Sequence, residues 1–210
     1  ALFTIKESEL MVRLTRVHRP PHFPNMSGLP GGLVLPEETA EEAVRRILTT
    51  KARVKNGKFY LEQLYTFSEI KRDPRGRVVA VAYTALVPWE ALTSVETLDT
   101  EEAWWTPVKN LRGLAYDHDQ ILKVAIERLR ARMTYTTLVS KLMPKEFTLT
   151  DLETVYECIL KTNIDKRNFR KKILKLNIVK SLKKKRSGGA FRPAELYSFT
   201  NEHVREITML

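Results

Sequence analysis

The segment GGLVLPEETAEEAVRRILTTKARV, residues 31–54, decides the reading of this chain, because it joins a loop that cannot be helical to a helix with a marked start. Gly31 and Gly32 follow Pro30, a combination that interrupts regular structure. From Thr39 onward, Ala40, Ala43, Val44, Ile47 and Leu48 recur at i, i+3, i+4, i+7 and i+8, which makes one apolar stripe on a helix. Thr39 as N-cap with Glu42 three residues on forms a capping box, so a helix is predicted from Ala40 to about Lys51.

On the N-terminal side, Leu2–Ile5 and Leu10–Val17 are β-like runs around the polar Lys6–Glu9, and a hairpin is expected. Arg19-Pro20-Pro21-His22-Phe23-Pro24 reads as a loop. On the C-terminal side, strands are predicted at Phe59–Phe67 and Val78–Val87 around the turn signal Asp73-Pro74-Arg75-Gly76, followed by a helix from Gln120 to about Met133. These elements make an α+β domain. Thr134–Lys145 has weak periodicity and ends in Met143-Pro144, so the chain is divided into a first domain of residues 1–138 and a second of 144–210.

In the second domain, Thr150 is read as an N-cap with Glu153 completing the box, opening a helix that buries Leu152, Val155, Tyr156, Ile159 and Leu160. Asp165 caps another helix, with Phe169, Ile173, Leu174 and Leu176 on its inner face. Ile178–Leu182 and Ala194–Phe199 then read as strands around a hairpin tip at Lys183–Gly189. Helix, turn, helix and β-hairpin is the order of a winged helix-turn-helix.

Charge sharpens this division. The 210 residues carry a net charge of +11, and residues 140–210 hold 16 Lys/Arg against 8 Asp/Glu, so most of the excess lies in the last third. That excess favours a polyanionic partner. Lys166, Arg167, Asn168, Arg170 and Lys171 form the outer face of the second helix, a composition that suits a recognition helix in a major groove. Lys183, Lys184, Lys185 and Arg186 would touch the backbone as a wing; a solvated charge run is the plain alternative. Cys158 is the single cysteine and His18, His22, His118 and His203 are scattered, which excludes a disulfide framework and a Cys/His zinc site. The longest uncharged apolar run, Val78–Trp89, is too short to span a bilayer, and no basic segment leads into an apolar stretch at the N-terminus. A soluble cytoplasmic protein without a membrane partner is expected.

Aligned on Gly32, the opening segment resembles the Nudix box, G-x5-E-x7-R-E-U-x-E-E-x-G-U, with U a bulky apolar residue. It keeps Glu38, Arg46, Leu48 and Val54, but Ile47, Thr50 and Lys51 stand where the pattern has glutamates and Arg53 where it has glycine. Nudix hydrolysis needs helix carboxylates one turn apart to hold divalent metal. Lys51 instead puts a cation where metal would bind, so no catalytic residue, metal site or hydrolysis is expected. Leu61–Phe67 and Lys71–Val78 resemble the strand and loop of ADP-ribose-type Nudix proteins. Arg72, Arg75 and Arg77 are therefore candidates to pair with ligand phosphates, against the alternative of a charged turn in water. Trp104, Trp105, Phe23 and Tyr65 are either adenine-stacking or core aromatics, and His118 reads as a satisfied structural histidine.

With Phe147-Thr148-Leu149 opening the second domain and Asp165-Lys166-Arg167-Asn168-Phe169-Arg170-Lys171 in it, the whole resembles the Nudix-related transcriptional regulators of the NrtR family. The resemblance implies a Nudix-like α/β/α sandwich followed by a winged helix-turn-helix. It further implies a cofactor-free homodimeric repressor of NAD-biosynthesis or salvage genes, bound to a palindromic operator in double-stranded DNA and released by ADP-ribose. Some relatives answer to pentoses instead. Two other readings stay open: an ADP-ribose pyrophosphatase recruiting Glu37, Glu38, Glu41 or Glu42 as substitute metal ligands, and a nucleic-acid-binding adaptor whose first half only dimerises.

Overall fold

The computed structural model describes residues 1–55, 57, 59–186 and 193–208. β1 (Leu2–Lys6) and β2 (Glu9–Arg19) form the expected hairpin, with Phe3 opposite Val12 and Lys6 opposite Glu9. Glu7 and Ser8 both take positive φ, the tight two-residue turn whose twist matches that of the strands. β2 continues past Val17 and pairs with β3 (Phe23–Gly28), a strand that begins in the last two residues of the segment read as a Pro-rich loop and was not expected. β3 lies at the sheet edge, where the missing N–H of Pro24 is tolerated.

α1 (Ala40–Thr50) starts at Thr39 with both halves of the capping box formed. β4 (Tyr60–Phe67) and β5 (Ala80–Leu86) follow, then the short α2 (Ser94–Thr97), β6 (Ala103–Pro107) and α3 (His118–Tyr135). The sheet order is β3-β2-β1-β5-β4, with β6 also paired to β2 and β1 parallel to β5. Neither α2 nor β6 is expected from the sequence, because α2 is a single turn and Ala103–Pro107 shows no apolar–polar alternation.

Alternation along the strands builds the sandwich. Phe3, Leu10, Val12, Leu14 and Leu86 share a core with Ile121, Leu122, Ala125, Leu129 and Met133 of α3. Leu2, Met11 and Ala85, their neighbours in sequence, point the other way and pack with Leu48, Ala52, Val54 and Trp105. Arg13 breaks the pattern: it is 0% exposed. Its Nε donates to the Ala52 carbonyl at 3.1 Å, both terminal nitrogens reach the Leu98 carbonyl at 3.3 Å, and the group lies over the Trp105 ring.

The second half contains α4 (Leu149–Leu160), α5 (Lys166–Lys175), β7 (Val179–Arg186) and β8 (Ala194–Phe199). Three local expectations are corrected. The cap of α4 is Thr148, not Thr150: Thr148 is extended (φ −90°, ψ 158°), its Oγ1 accepts from Asp151 N at 3.1 Å, and Asp151 Oδ2 accepts from Thr148 N at 2.8 Å. Leu174 is 45% exposed, because a helix places it on the flank beside the buried Ile173. Lys183–Arg186 belong to β7 and not to a tip, since the ladder continues with Lys185 opposite Glu195 and Arg186 opposite Ala194. The rest of the expected tip, Ser187–Gly189, lies outside the described residues.

The segment between the halves is packed. Leu138, Val139, Leu142 and Met143 are buried in the same apolar cluster as α3, α4 and α5. Thr137 N donates to the Arg205 carbonyl, Arg205 N returns to Thr137 Oγ1 (both 2.9 Å), and Ile207 N donates to the Tyr135 carbonyl at 2.8 Å. Among the described residues no helix is long and apolar enough to cross a membrane.

Replacing Arg13 with Ala removes the donors to the Ala52 and Leu98 carbonyls and leaves a void. A loss of about 2–4 kcal/mol is expected, with the exposed Arg128→Ala within about 0.5 kcal/mol of the parent. Urea unfolding of the two variants checks this.

Candidate ligand cleft and nucleic-acid interface

A cleft of about 1050 Å³ opens between the Gly31–Leu35 loop, α1, the outer part of β2, β5 and the Arg72–Arg75 loop. Of the two charged residues that the box retains, Arg46 lines the cleft and Glu38 holds it from behind. Arg46 grips Glu38 with two donors, Nε to Oε2 at 2.9 Å and Nη2 to Oε1, and reaches the Leu33 carbonyl at 3.0 Å. Leu35 N also donates to Glu38 at 2.9 Å. The Arg46 side chain and this N–H hold the Glu38 carboxyl down at about 2. The pair clips the loop to the helix.

Ile47 is buried beneath the loop, and a Cβ on Gly32 would come within 3.1 Å of its Cδ1, so glycine permits this approach. Arg53 takes φ 58°, the left-handed conformation for which the pattern's glycine is suited. Lys51 Nζ donates to the Gly31 carbonyl at 2.7 Å. Three of the four acids considered as substitute ligands are engaged: Glu38 as described, Glu41 with Arg45 at 2.7 Å, and Glu42 with Thr39 N and Oγ1 at 2.7 Å, while Glu37 is exposed. Among the described residues no group of three His, Cys, Asp or Glu is placed to hold a metal. The residues present do not fit the divalent ion of the box.

Of the arginines named as ligand candidates, Arg72 and Arg75 line the cleft and Arg77 does not. Arg72 is held by Asp117 through bonds of 2.8 and 2.6 Å, with its side chain 6% exposed. Arg75 is chelated by Asp73 at 2.9 and 2.7 Å and lies 5.1 Å over the Tyr116 ring. Arg77 donates to the carbonyls of Ser68 and Glu69. Phe23, Tyr65, Trp104 and Trp105 also stand off the wall: Phe23 packs against Tyr116, Trp105 is buried, and Tyr65 is 58% exposed. The cleft's aromatics are Tyr83 and Tyr116, neither anticipated, since nothing in the local sequence brings them to the box.

His118 opens α3 on the same wall, and its Nδ1 accepts from Leu29 N at 3.0 Å. A Cβ on Gly28 would lie 3.0 Å from that nitrogen. Burial pushes the imidazole down to about 4, so it stays neutral as an acceptor requires.

In the second half, Phe169 and Ile173 anchor α5, Phe169 meeting Tyr156 edge-on at 5.4 Å. Asp165 caps the helix by accepting from Asn168 N at 2.8 Å. Lys166, Arg167, Asn168, Arg170 and Lys171 are exposed on it, as are Lys183, Lys184, Lys185 and Arg186 on β7. Arg170 donates to Thr150 at 2.9 Å and Arg186 pairs with Asp151 at 2.9 Å, so both basic elements meet at the first turn of α4. Lys184 pairs with Glu146 at 3.2 Å, and Lys166 lies 3.7 Å from the buried Glu153, the residue first read as part of a cap.

The comparisons with known proteins follow this division. Residues 5–129 match the family model of the NUDIX domain, and residues 139–199 match that of the NrtR DNA-binding winged helix domain. The chain is 34% identical over 204 residues to the ADPR responsive transcriptional repressor NtrR of Acinetobacter baylyi, covering 95% of this chain and 79% of that protein. Shewanella oneidensis NrtR complexed with a 27mer DNA superposes with a TM-score of 0.83 at 32% identity, over 95% of this chain and 90% of that one. The NUDIX domain of the same protein complexed with ADP ribose gives 0.52 at 36% identity, over 61% and 83%. The first half is also 32% identical over 123 residues to the ADP-ribose pyrophosphatase of Methanocaldococcus jannaschii, covering 57% of this chain and 67% of that protein. Sandwich and basic winged helix thus define a DNA-binding regulator built on a Nudix domain. The chain belongs to the NrtR family.

The depressed imidazole predicts a pH dependence. The unfolded chain takes up the His118 proton near pH 6.5 and the folded one only near 4, so stability present at pH 7 is lost as pH falls through that window. Between pH 7 and pH 5 this group contributes a loss of about 2 kcal/mol, which His118→Gln abolishes in urea unfolding at the two pH values.

Proposed function

We propose that this protein is a cytoplasmic, homodimeric transcriptional repressor that binds a palindromic operator and leaves it when ADP-ribose enters the cleft. One observation carries the reading: an exposed face on α5 formed by Lys166, Arg167, Asn168, Arg170 and Lys171, anchored from behind by Phe169 and Ile173. Such a face supplies phosphate neutralisation and bidentate base contacts together. The control of NAD-biosynthesis or salvage genes is proposed from the family resemblance. The cationic cleft wall favours a phosphorylated ligand over a neutral pentose.

The first half acts as sensor and not as hydrolase, since Ile47, Thr50 and Lys51 offer no carboxylate and Glu38, Glu41 and Glu42 are engaged elsewhere. We divide the chain at residues 1–138 and 144–210, with α3 as the connecting rod. Its first residue lines the cleft, Arg130 Nε near its far end donates to the Ile159 carbonyl of α4 at 2.8 Å, and Tyr135 holds the C-terminal segment. A ligand that tilts α3 moves the winged helix with it. Release requires tighter binding to the DNA-incompetent arrangement, by about 5.5 kcal/mol for a 1:99 to 99:1 switch.

Arg167→Ala and Arg170→Ala should each weaken binding to an operator selected from a random-sequence pool by about 10-fold or more, with the melting temperature unchanged. Normal binding by both variants would show that α5 is not the recognition helix. Millimolar ADP-ribose should dissolve the complex in a gel shift, and phosphate-bond cleavage of ADP-ribose with magnesium or manganese should stay at background; turnover would reject the sensor reading in favour of an enzyme.

A further inference from the structure

In the Nudix pattern the position of Lys51 carries a carboxylate, whose task is to hold a divalent cation against the ligand's phosphates. Here that position, the C-cap of α1, carries an ammonium. Lys51 Nζ stands on the cleft wall, 2.7 Å from the Gly31 carbonyl and 3.7 Å from the place where Gly32 would carry a Cβ. The glycine pair leaves backbone beside that ammonium and no side chain above it. Among the described residues no carboxylate forms an ion pair with Lys51. Arg19 and Arg53 line the same cleft, also without an ion-pair partner among the described residues. Of the acids on the wall, Asp73 is chelated by Arg75 and Glu102 is exposed.

Cations gathered in a concave wall without counter-charge repel one another and attract a compact anion. Partial burial, with Arg19 and Arg46 nearby, lowers the Lys51 ammonium below the usual lysine range. A phosphate oxygen would supply the missing counter-charge.

We propose that Lys51 takes the place of the absent divalent cation and holds the pyrophosphate of a nucleoside-diphosphate sugar, so that the cleft binds its ligand without metal. The inference rests on reading the cleft as an ADP-ribose sensor, and it explains why a sensor would keep this fold. A bound metal both neutralises phosphate and delivers hydroxide, whereas an ammonium neutralises only. The ligand is therefore held intact.

Calorimetric titration of the full chain with ADP-ribose, once in EDTA and once in magnesium, tests the proposal. The two affinities should agree within about twofold. Lys51→Met, which keeps the aliphatic stem, should weaken binding by about 10-fold or more at an unchanged melting temperature, and Lys51→Arg should stay within about threefold of the parent. Binding that needs magnesium, or Lys51→Met binding as tightly as the parent, overturns the role of Lys51 alone. A parent protein that binds no ADP-ribose in either buffer overturns the sensor reading as well. Should Lys51→Met fail to fold, the comparison of buffers on the parent decides.

Discussion

α3 has to bury apolar side chains on more than one side at once, and the arrangement of the molecule follows from that. Ile121, Leu122, Ala125, Leu129 and Met133 are buried, while Val124 and Ile126 pack partly against the same cluster. One flank meets β4 and the sheet, another meets α4. Each of the fully buried Ile, Leu and Met side chains is worth about 1.5–3 kcal/mol when removed from water, so neither neighbour can part from α3 without a large cost. The core therefore runs unbroken from the sheet into the second half, through Leu138, Val139, Leu142 and Met143. A helix with its first turn at the cleft and its last turn bonded to the C-terminal segment makes the two halves one mechanical unit.

Electrostatics then separates what the two halves do. In the cleft, the retained Glu38–Arg46 pair secures the loop, and the lost carboxylates are replaced by a neutral wall and an ammonium. Ion pairs near the surface add little to stability, so the value of this one lies in the position it fixes. The same holds for Lys184 with Glu146 and Arg186 with Asp151 on the winged helix. Weak pairs of that kind yield readily to phosphate, which leaves the basic surface of α5 and β7 available to a duplex.

The elements that carry a period were legible beforehand. α1, α3, α4, α5 and the β1–β2 hairpin lie within a few residues of where alternation and capping placed them. Thr148 was missed as a cap because Thr150 offers the same residue type with an acid three positions on; a helix begun at Thr148 includes the buried Leu149 in its first turn. α2 was invisible for lack of length, β3 because its proline and polar residues read as loop, and β6 because Ala103–Pro107 shows no apolar–polar alternation. In the cleft, the arginine loop and the box were found by pattern, but the pairing of Arg72 with Asp117 and the arrival of Tyr83 and Tyr116 are contacts across long stretches of chain.

By itself, the sequence determined the division of labour: a helix stripped of the acids that metal needs, and a last third carrying most of the excess positive charge. Those are matters of residue type and spacing, and no folding alters them. Tertiary structure alone decided that Arg13 is buried, that Arg77 stands outside the cleft while Lys51 stands on its wall, and that the connection between the halves is packed. Each depends on which surfaces are excluded from water together, a property of the assembled chain that no local window of residues contains.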